Sequence, residues 1–288
     1  MDLSGYEARM PTVRIGSIDV FYEEHGAGDP LLLIMGFATD STAWLLQTPE
    51  FAKHYRTVVF DNRGVGRSSK PAGPYTIHEM ADDALGLLDH LGIRRTHVLG
   101  LSMGGMIAQE LTLRHPERVQ KLVLAATYPE PDADVERTRQ FTLGKMGGTV
   151  TAEGAMQIDL KAIDPLLLFQ HLLPLVFNPE FIATQLPRLM QLFGGALQYG
   201  FSMEAIVGQM EALVGHKATD RLHRITAPTL VLTGDADRLI PPANSDILAR
   251  HIPGATLVKI PGGSHGFNIE QPELFNRTVL EFLAASGR

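Results

Sequence analysis

Ser102 is the residue of this chain whose surroundings make a nucleophile. It lies in Gly100-Leu101-Ser102-Met103-Gly104, a G-x-S-x-G spacing. Upstream, Val98, Leu99 and Leu101 read as a short buried strand. Downstream, Met106, Ile107, Gln109, Glu110 and Leu111 begin a helical pattern that His115-Pro116 stops. A serine on so sharp a strand-to-helix turn takes a strained backbone conformation, which pushes its hydroxyl clear of the sheet. Gly100 and Gly104 stand where side chains would collide as strand and helix close up. The helix also points free N–H groups at the reacting centre. A glycine-rich turn whose serine only caps a helix is the plainer alternative, and the flanking strand and helix favour the nucleophile. A serine hydroxyl is a poor nucleophile at neutral pH. It needs a base within hydrogen-bond reach, and the base needs an orienting carboxylate.

The elements that must position these groups follow a simple rhythm. Residues 12–24 alternate through Val13, Ile15, Ile18, Val20 and Tyr22, an antiparallel hairpin at a sheet edge. Leu31–Met35, Thr57–Phe60, the stretch before Ser102, Leu122–Ala125, Thr229–Leu232 and Thr256–Ile260 are apolar runs of buried-strand length. Helical patterns at Thr76–Leu91 and Pro272–Leu283 stand among them. Strands alternating with helices predict an α/β fold, a mostly parallel twisted sheet flanked by helices. Ligand sites in such sheets lie at the C-terminal ends of strands. Gly36-Phe37, Asp61 onward, Ser102 and the stretch after Leu232 all fall there. From Tyr128 to His216 the rhythm breaks into a proline-interrupted segment that reads as short helices.

With its strand and helix, the Ser102 turn resembles the nucleophile elbow of the α/β-hydrolase superfamily, and the resemblance runs from about Val13 to Leu283. It implies a core domain of residues 1–127 and 217–288 with a helical cap inserted at 128–216. It also implies the catalytic order Ser, Asp or Glu, His. Of the 11 histidines, His265 in Gly262-Gly263-Ser264-His265-Gly266 combines a strand end, a glycine-rich loop and the last position in that order. In related hydrolases the acid precedes an x-x-[IV]-P segment. Asp237, before Arg238-Leu239-Ile240-Pro241, matches; Asp235 is then expected to hydrogen-bond the loop. A few relatives take the acid from after the preceding strand, so Asp132 and Asp134 stay open as alternatives. The oxyanion needs two preorganised N–H donors, and the resemblance assigns them to Met103 and Phe37. Relatives commonly carry His-Gly before the second donor; this chain has Met35-Gly36, so the bracing histidine is missing. Asp61-x-Arg63-Gly64-x-Gly66-x-Ser68 resembles another block of the family, with a structural role beside the pocket.

Other chemistries find little to work with. Dehalogenases and epoxide hydrolases of this fold carry aspartate where Ser102 stands. No H-E-x-x-H zinc motif or phosphate-binding P-loop is present, and no cofactor is expected. The 288 residues carry a net charge of −7 with no basic run, which argues against nucleic acid. Apolar stretches are too short for a membrane span, and the N-terminus lacks a signal-peptide core, so a cytoplasmic location is expected. Zero cysteines exclude disulfides and a thiol nucleophile. A homodimer is compatible with the chain and not specified by it. Between Ala162 and Pro187 there is no lysine or arginine, and leucine and phenylalanine crowd the segment. Most of these pack the cap onto the core; the remainder favour a neutral, hydrophobic small-molecule ester. The block from Gly73 to Thr127 is similar to 3-oxoadipate enol-lactonases and neighbouring esterases. That lactone carries a carboxylate, for which Lys161 or Arg188 would be the partner. A small-molecule receptor with weak hydrolase activity is the reading from another class.

Overall fold

The computed structural model describes residues 11–137, 144, 148–150, 156–158, 165–200 and 202–285. The buried runs form an eight-stranded sheet of β1 (Thr12–Ile15), β2 (Ile18–His25), β3 (Pro30–Ile34), β4 (Arg56–Phe60), β5 (Thr96–Leu101), β6 (Val119–Ala125), β9 (Thr229–Gly234) and β10 (Thr256–Ile260). Their order is β1-β2-β4-β3-β5-β6-β9-β10. The β1–β2 hairpin is antiparallel at one edge, as its alternation predicts, and β2 joins β4 antiparallel. From β4 to β10 every pairing is parallel.

Strand alternation divides the core into two layers. Leu32, Ile34, Val98, Leu122, Leu124 and Val231 face α2 (Ile77–His90) and α3 (Met103–Arg114). Leu31, Leu33, Leu99, Val123, Leu230 and Leu232 face the other way, onto Trp44, Phe51, Phe267 and Phe275. Both faces are therefore dry, which is why these strands read as continuous apolar runs. The helix expected at Thr76–Leu91 starts with Thr76 as its cap, whose hydroxyl accepts the N–H of Glu79.

The segment between β6 and β9 departs from the expectation of short helices alone. It contains a hairpin of β7 (Gly148–Val150) and β8 (Met156–Ile158), besides α4 (Pro165–Val176), α5 (Pro179–Gln198) and α6 (Met203–Gly215). Pro174 and Pro187 lie inside helices, not between them. An internal proline costs a helix about 3 kcal/mol. Burial of Leu173, Phe177 and Leu189 against Ile269 of the core acts in the opposite direction. Among the described residues no helix is long and apolar enough to cross a membrane.

Two buried histidines make the fold acid-sensitive. His97 sits on β5 with its ring edge-on to Tyr55. Burial, helped by the Lys121 and Arg95 charges and opposed by Asp29, pushes its pKa down to about 4. His216 follows α6; burial lowers its pKa to about 4 as well, with Glu110 opposing and Arg221 and His78 assisting. Both rings are neutral when folded and would take up a proton near ~6.5 when unfolded. Stability is thus complete above that value and declines as pH falls through about 4. Thermal melts of a His97→Gln/His216→Gln double variant should lose less Tm than wild type between neutral pH and that acid limit. Parallel slopes for the two proteins would contradict this assignment.

Candidate active site

Ser102 connects β5 to α3 with φ 57° and ψ −123°, a region that residues with a side chain rarely enter. Backbone contacts leave it little choice. A Cβ on Gly100 would lie 2.2 Å from the Gly104 carbonyl oxygen, and one on Gly104 would lie 2.0 Å from that of Ile34. The Ser102 N–H donates to the Ala125 carbonyl at 2.9 Å. Its carbonyl accepts from the Gly105 N–H at 2.8 Å and from the Thr127 hydroxyl at 2.8 Å. Met103 is the first residue of α3, so its N–H has no partner within the helix.

His265 and Asp237 come from the loops after β10 and β9. The imidazole Nδ1 lies 2.9 Å from Asp237 Oδ2, and both residues are only 5% exposed. The other carboxylate oxygen accepts the N–H groups of Leu239 at 2.9 Å and Ile240 at 2.8 Å. Asp237 is thus held at both oxygens and presents a fixed acceptor to one side of the ring. The other side, Nε2, is left for proton exchange. Asp235 is exposed and accepts the Gly262 N–H at 2.7 Å, tying the β9 loop to the histidine loop as expected. The alternative acids have other work. Asp132 accepts the N–H groups of Asp134 and Val135 and the Asn244 amide, and Asp134 pairs with Arg137 at the surface.

The loop after β3 lies against the serine. A Cβ on Gly36 would be 3.0 Å from Ser102 Cβ and 3.5 Å from its Oγ. The loop has Met35 and no bracing histidine, and it is braced from other directions. The Asn62 side-chain amide donates to the Met35 carbonyl at 2.8 Å, and the Thr39 hydroxyl donates to the Phe37 carbonyl at 2.9 Å. The Ala38 N–H donates to Gln209 Oε1 at 2.9 Å. Sequence reading missed Asn62 and Gln209. The one available signal was a glutamine at a core register of α6, between Ile206 and Met210. All three are buried, and buried amides are hydrogen-bonded.

Asp61 is a structural hub. It accepts from the N–H and hydroxyl of Ser41 and from the backbone and guanidinium of Arg67. Arg63 forms a two-pronged bond to Asp83 and a further pair with Glu79. Burial acts against both guanidinium charges, but their carboxylate partners outweigh it and raise both pKa values. Lys70 donates to the carbonyls of Gly66, Ser68 and Tyr199, and burial lowers its pKa. Lys161 lies outside the described residues, as does the side chain of Arg188. Among the described residues no cluster of three or more His, Cys, Asp or Glu could hold a metal ion.

The segment between β6 and β9 also grips the histidine loop. The Ser264 hydroxyl and the Gly266 N–H both donate to the Val176 carbonyl, at 2.7 and 2.8 Å. Asn178 donates to the Gly262 carbonyl and to Glu270, and a Cβ on Gly266 would run into the Phe177 ring. The chemical capacity of the arrangement is a serine forced out of its sheet and an imidazole oriented by a carboxylate. Beside them is a tightly held backbone loop.

Comparison with known proteins bears on the family and the fold. The model of the alpha/beta hydrolase fold matches residues 29–152, and that of the serine aminopeptidases S33 matches residues 197–272. A protein of Azorhizobium caulinodans named as a carbamate hydrolase, RutD, is 30% identical over 273 residues, covering 95% of this chain and 98% of that protein. The 3-oxoadipate enol-lactonase 2 of Acinetobacter baylyi is 30% identical over 271 residues, covering 93% and 94%. The crystal structure of the enol-lactonase from Burkholderia xenovorans superposes with a TM-score of 0.81 at 28% identity, covering 96% of this chain and all of that one.

If Asp237 orients His265, removing its charge should disable the site while the outer carboxylate stays dispensable. Asp237→Asn should lower kcat by about 10³–10⁴-fold, and Asp235→Asn by less than about tenfold, in steady-state assays at one pH. A larger loss at Asp235 would reverse the assignment.

Proposed function

The chain belongs to the α/β-hydrolase family, and from that premise we propose that it is a serine hydrolase of carboxylic esters. The observation that carries the reading is the Asp237–His265 hydrogen bond, made in the loops after β9 and β10 at the same edge of the sheet where the strained Ser102 follows β5. In this reading His265 Nε2 takes the Ser102 proton as Oγ attacks the ester carbonyl. The N–H groups of Phe37 and Met103 hold the oxygen that becomes negative. The tetrahedral intermediate collapses, the alcohol leaves with the proton from His265, and Ser102 keeps the acyl group. Water then enters, loses a proton to His265 and attacks the acyl carbon. The acid is released and the serine regains its proton.

The described cations in the loop after β4 favour a neutral substrate. Arg63 and Arg67 are bound to carboxylates, and Lys70 is engaged with three carbonyls. An anionic substrate would have to compete with those partners. The segment from Ala162 to Pro187, rich in leucine and without lysine or arginine, suits small or medium hydrophobic groups. A second reading is a lactonase, favoured by the two enol-lactonases among the relatives; the name of the Azorhizobium relative adds carbamates to the compounds worth assaying.

The test is hydrolysis of p-nitrophenyl esters from acetate to dodecanoate, beside a lactone and a carbamate, by wild type and Ser102→Ala. The expected result is a chain-length optimum among the shorter esters and a loss of roughly 10⁴-fold or more in the variant. Turnover confined to the lactone would select the second reading. Turnover that survives Ser102→Ala would overturn both.

A further inference from the structure

We infer that Gln209 is a positioning residue for the oxyanion donor of Phe37, so that helix α6 completes the site without touching substrate. The inference rests on the hydrolase reading above and adds a residue to it. Three consecutive peptide units make up the loop after β3. The Met35–Gly36 unit is held at its carbonyl by Asn62, 2.8 Å away. The Phe37–Ala38 unit is held at both ends: Thr39 donates to its carbonyl and Gln209 accepts its N–H, each at 2.9 Å. Between them lies the Gly36–Phe37 unit, which carries the Phe37 N–H. Its orientation follows from the two planes that flank it, because only the φ and ψ angles of Gly36 and Phe37 connect them.

Gln209 is suited to hold rather than to react. It is fully buried. Its amide is used twice, with Oε1 on Ala38 N–H and Nε2 donating to the Arg63 carbonyl at 2.8 Å, so its rotamer and its flip state are both fixed. Ala38 has φ 55°, a left-handed conformation that a side chain disfavours, so this turn needs an external hold. α6 approaches closely because small residues line the contact. A Cβ on Gly208 would meet the Tyr75 ring at 3.1 Å and the Gly73 Cα at 3.2 Å, and one on Gly64 would lie 3.2 Å from Ala205 Cβ. The glutamine thus reaches the loop after β3 from 171 residues along the chain.

An oxyanion donor acts mainly in the transition state, so a misaligned one lowers kcat and leaves KM nearly unchanged. Kinetics on p-nitrophenyl butyrate and inhibition by butylboronic acid, whose tetrahedral adduct places an oxygen in the oxyanion site, read this directly. Gln209→Met, which keeps length and burial but loses both hydrogen bonds, should lower kcat about 10–100-fold with KM within threefold. The boronate Ki should rise by a similar factor. Gln209→Glu keeps an acceptor for Ala38 and should recover most of the loss. Thr39→Val releases the other end of the same peptide unit at a half-buried position, and should shift kcat and Ki together in the same direction; it also serves if the Gln209 variants do not fold. A folded Gln209→Met with kcat within twofold of wild type, or a rise in KM alone, would overturn the inference and leave the hydrolase reading intact. Wild type that neither turns over the ester nor binds the boronate would overturn both.

Discussion

The backbone contact between the turn at Ser102 and the end of β3 is the constraint on which the rest depends. Strand, turn and helix can occupy the same small volume only because Gly100 and Gly104 carry no side chains. A side chain at either position would meet a carbonyl oxygen, and backbone cannot move aside as a side-chain tip can. The strained φ of Ser102 costs about 1–3 kcal/mol. It is kept because three hydrogen bonds, to Ala125, Gly105 and Thr127, hold the residue on both sides. The same closeness brings Gly36 against the serine, so one packing solution sets both the serine and the neighbouring N–H groups.

The described residues between β6 and β9 reach the loops around this centre. Val176 and Asn178, at the end of α4 and the start of α5, bind the histidine loop through its backbone and Ser264. Gln209 binds the loop after β3. Elements distant in sequence therefore fix the two loops that the sheet alone would leave supported at one end. Substitutions in this segment can alter rate through loop placement as well as through the shape of the pocket.

What was legible in the sequence was what depends on local pattern. Leu31–Ile34, Val98–Leu101 and Leu122–Ala125 announced themselves as strands because both faces are buried. Ser102 and His265 stood out because each follows a strand in a glycine-rich turn or loop, while Asp237 was separated from Asp235 only by the family resemblance of Arg238-Leu239-Ile240-Pro241. Asp235, expected to hydrogen-bond the loop, accepts the Gly262 N–H from its place after β9. The β7–β8 hairpin was hidden, since three-residue strands leave no period to count. Pro174 and Pro187, residues that by local preference end helices, lie within them, because tertiary packing overrides that preference. Asn62 and Gln209 were illegible for a different reason. Their work is pairwise, across 27 and 171 residues, and neither partner is marked by its own type.

The central claim is that Ser102 carries the acyl group between the two half-reactions. Rapid-quench mass spectrometry on wild-type protein mixed with p-nitrophenyl butyrate tests it most directly. The account predicts a transient mass increment of one butyryl group, with peptide fragmentation placing it on Ser102 and its decay matching turnover. Steady turnover with the adduct on another residue, or with no adduct when the quench is faster than the turnover time, would contradict it.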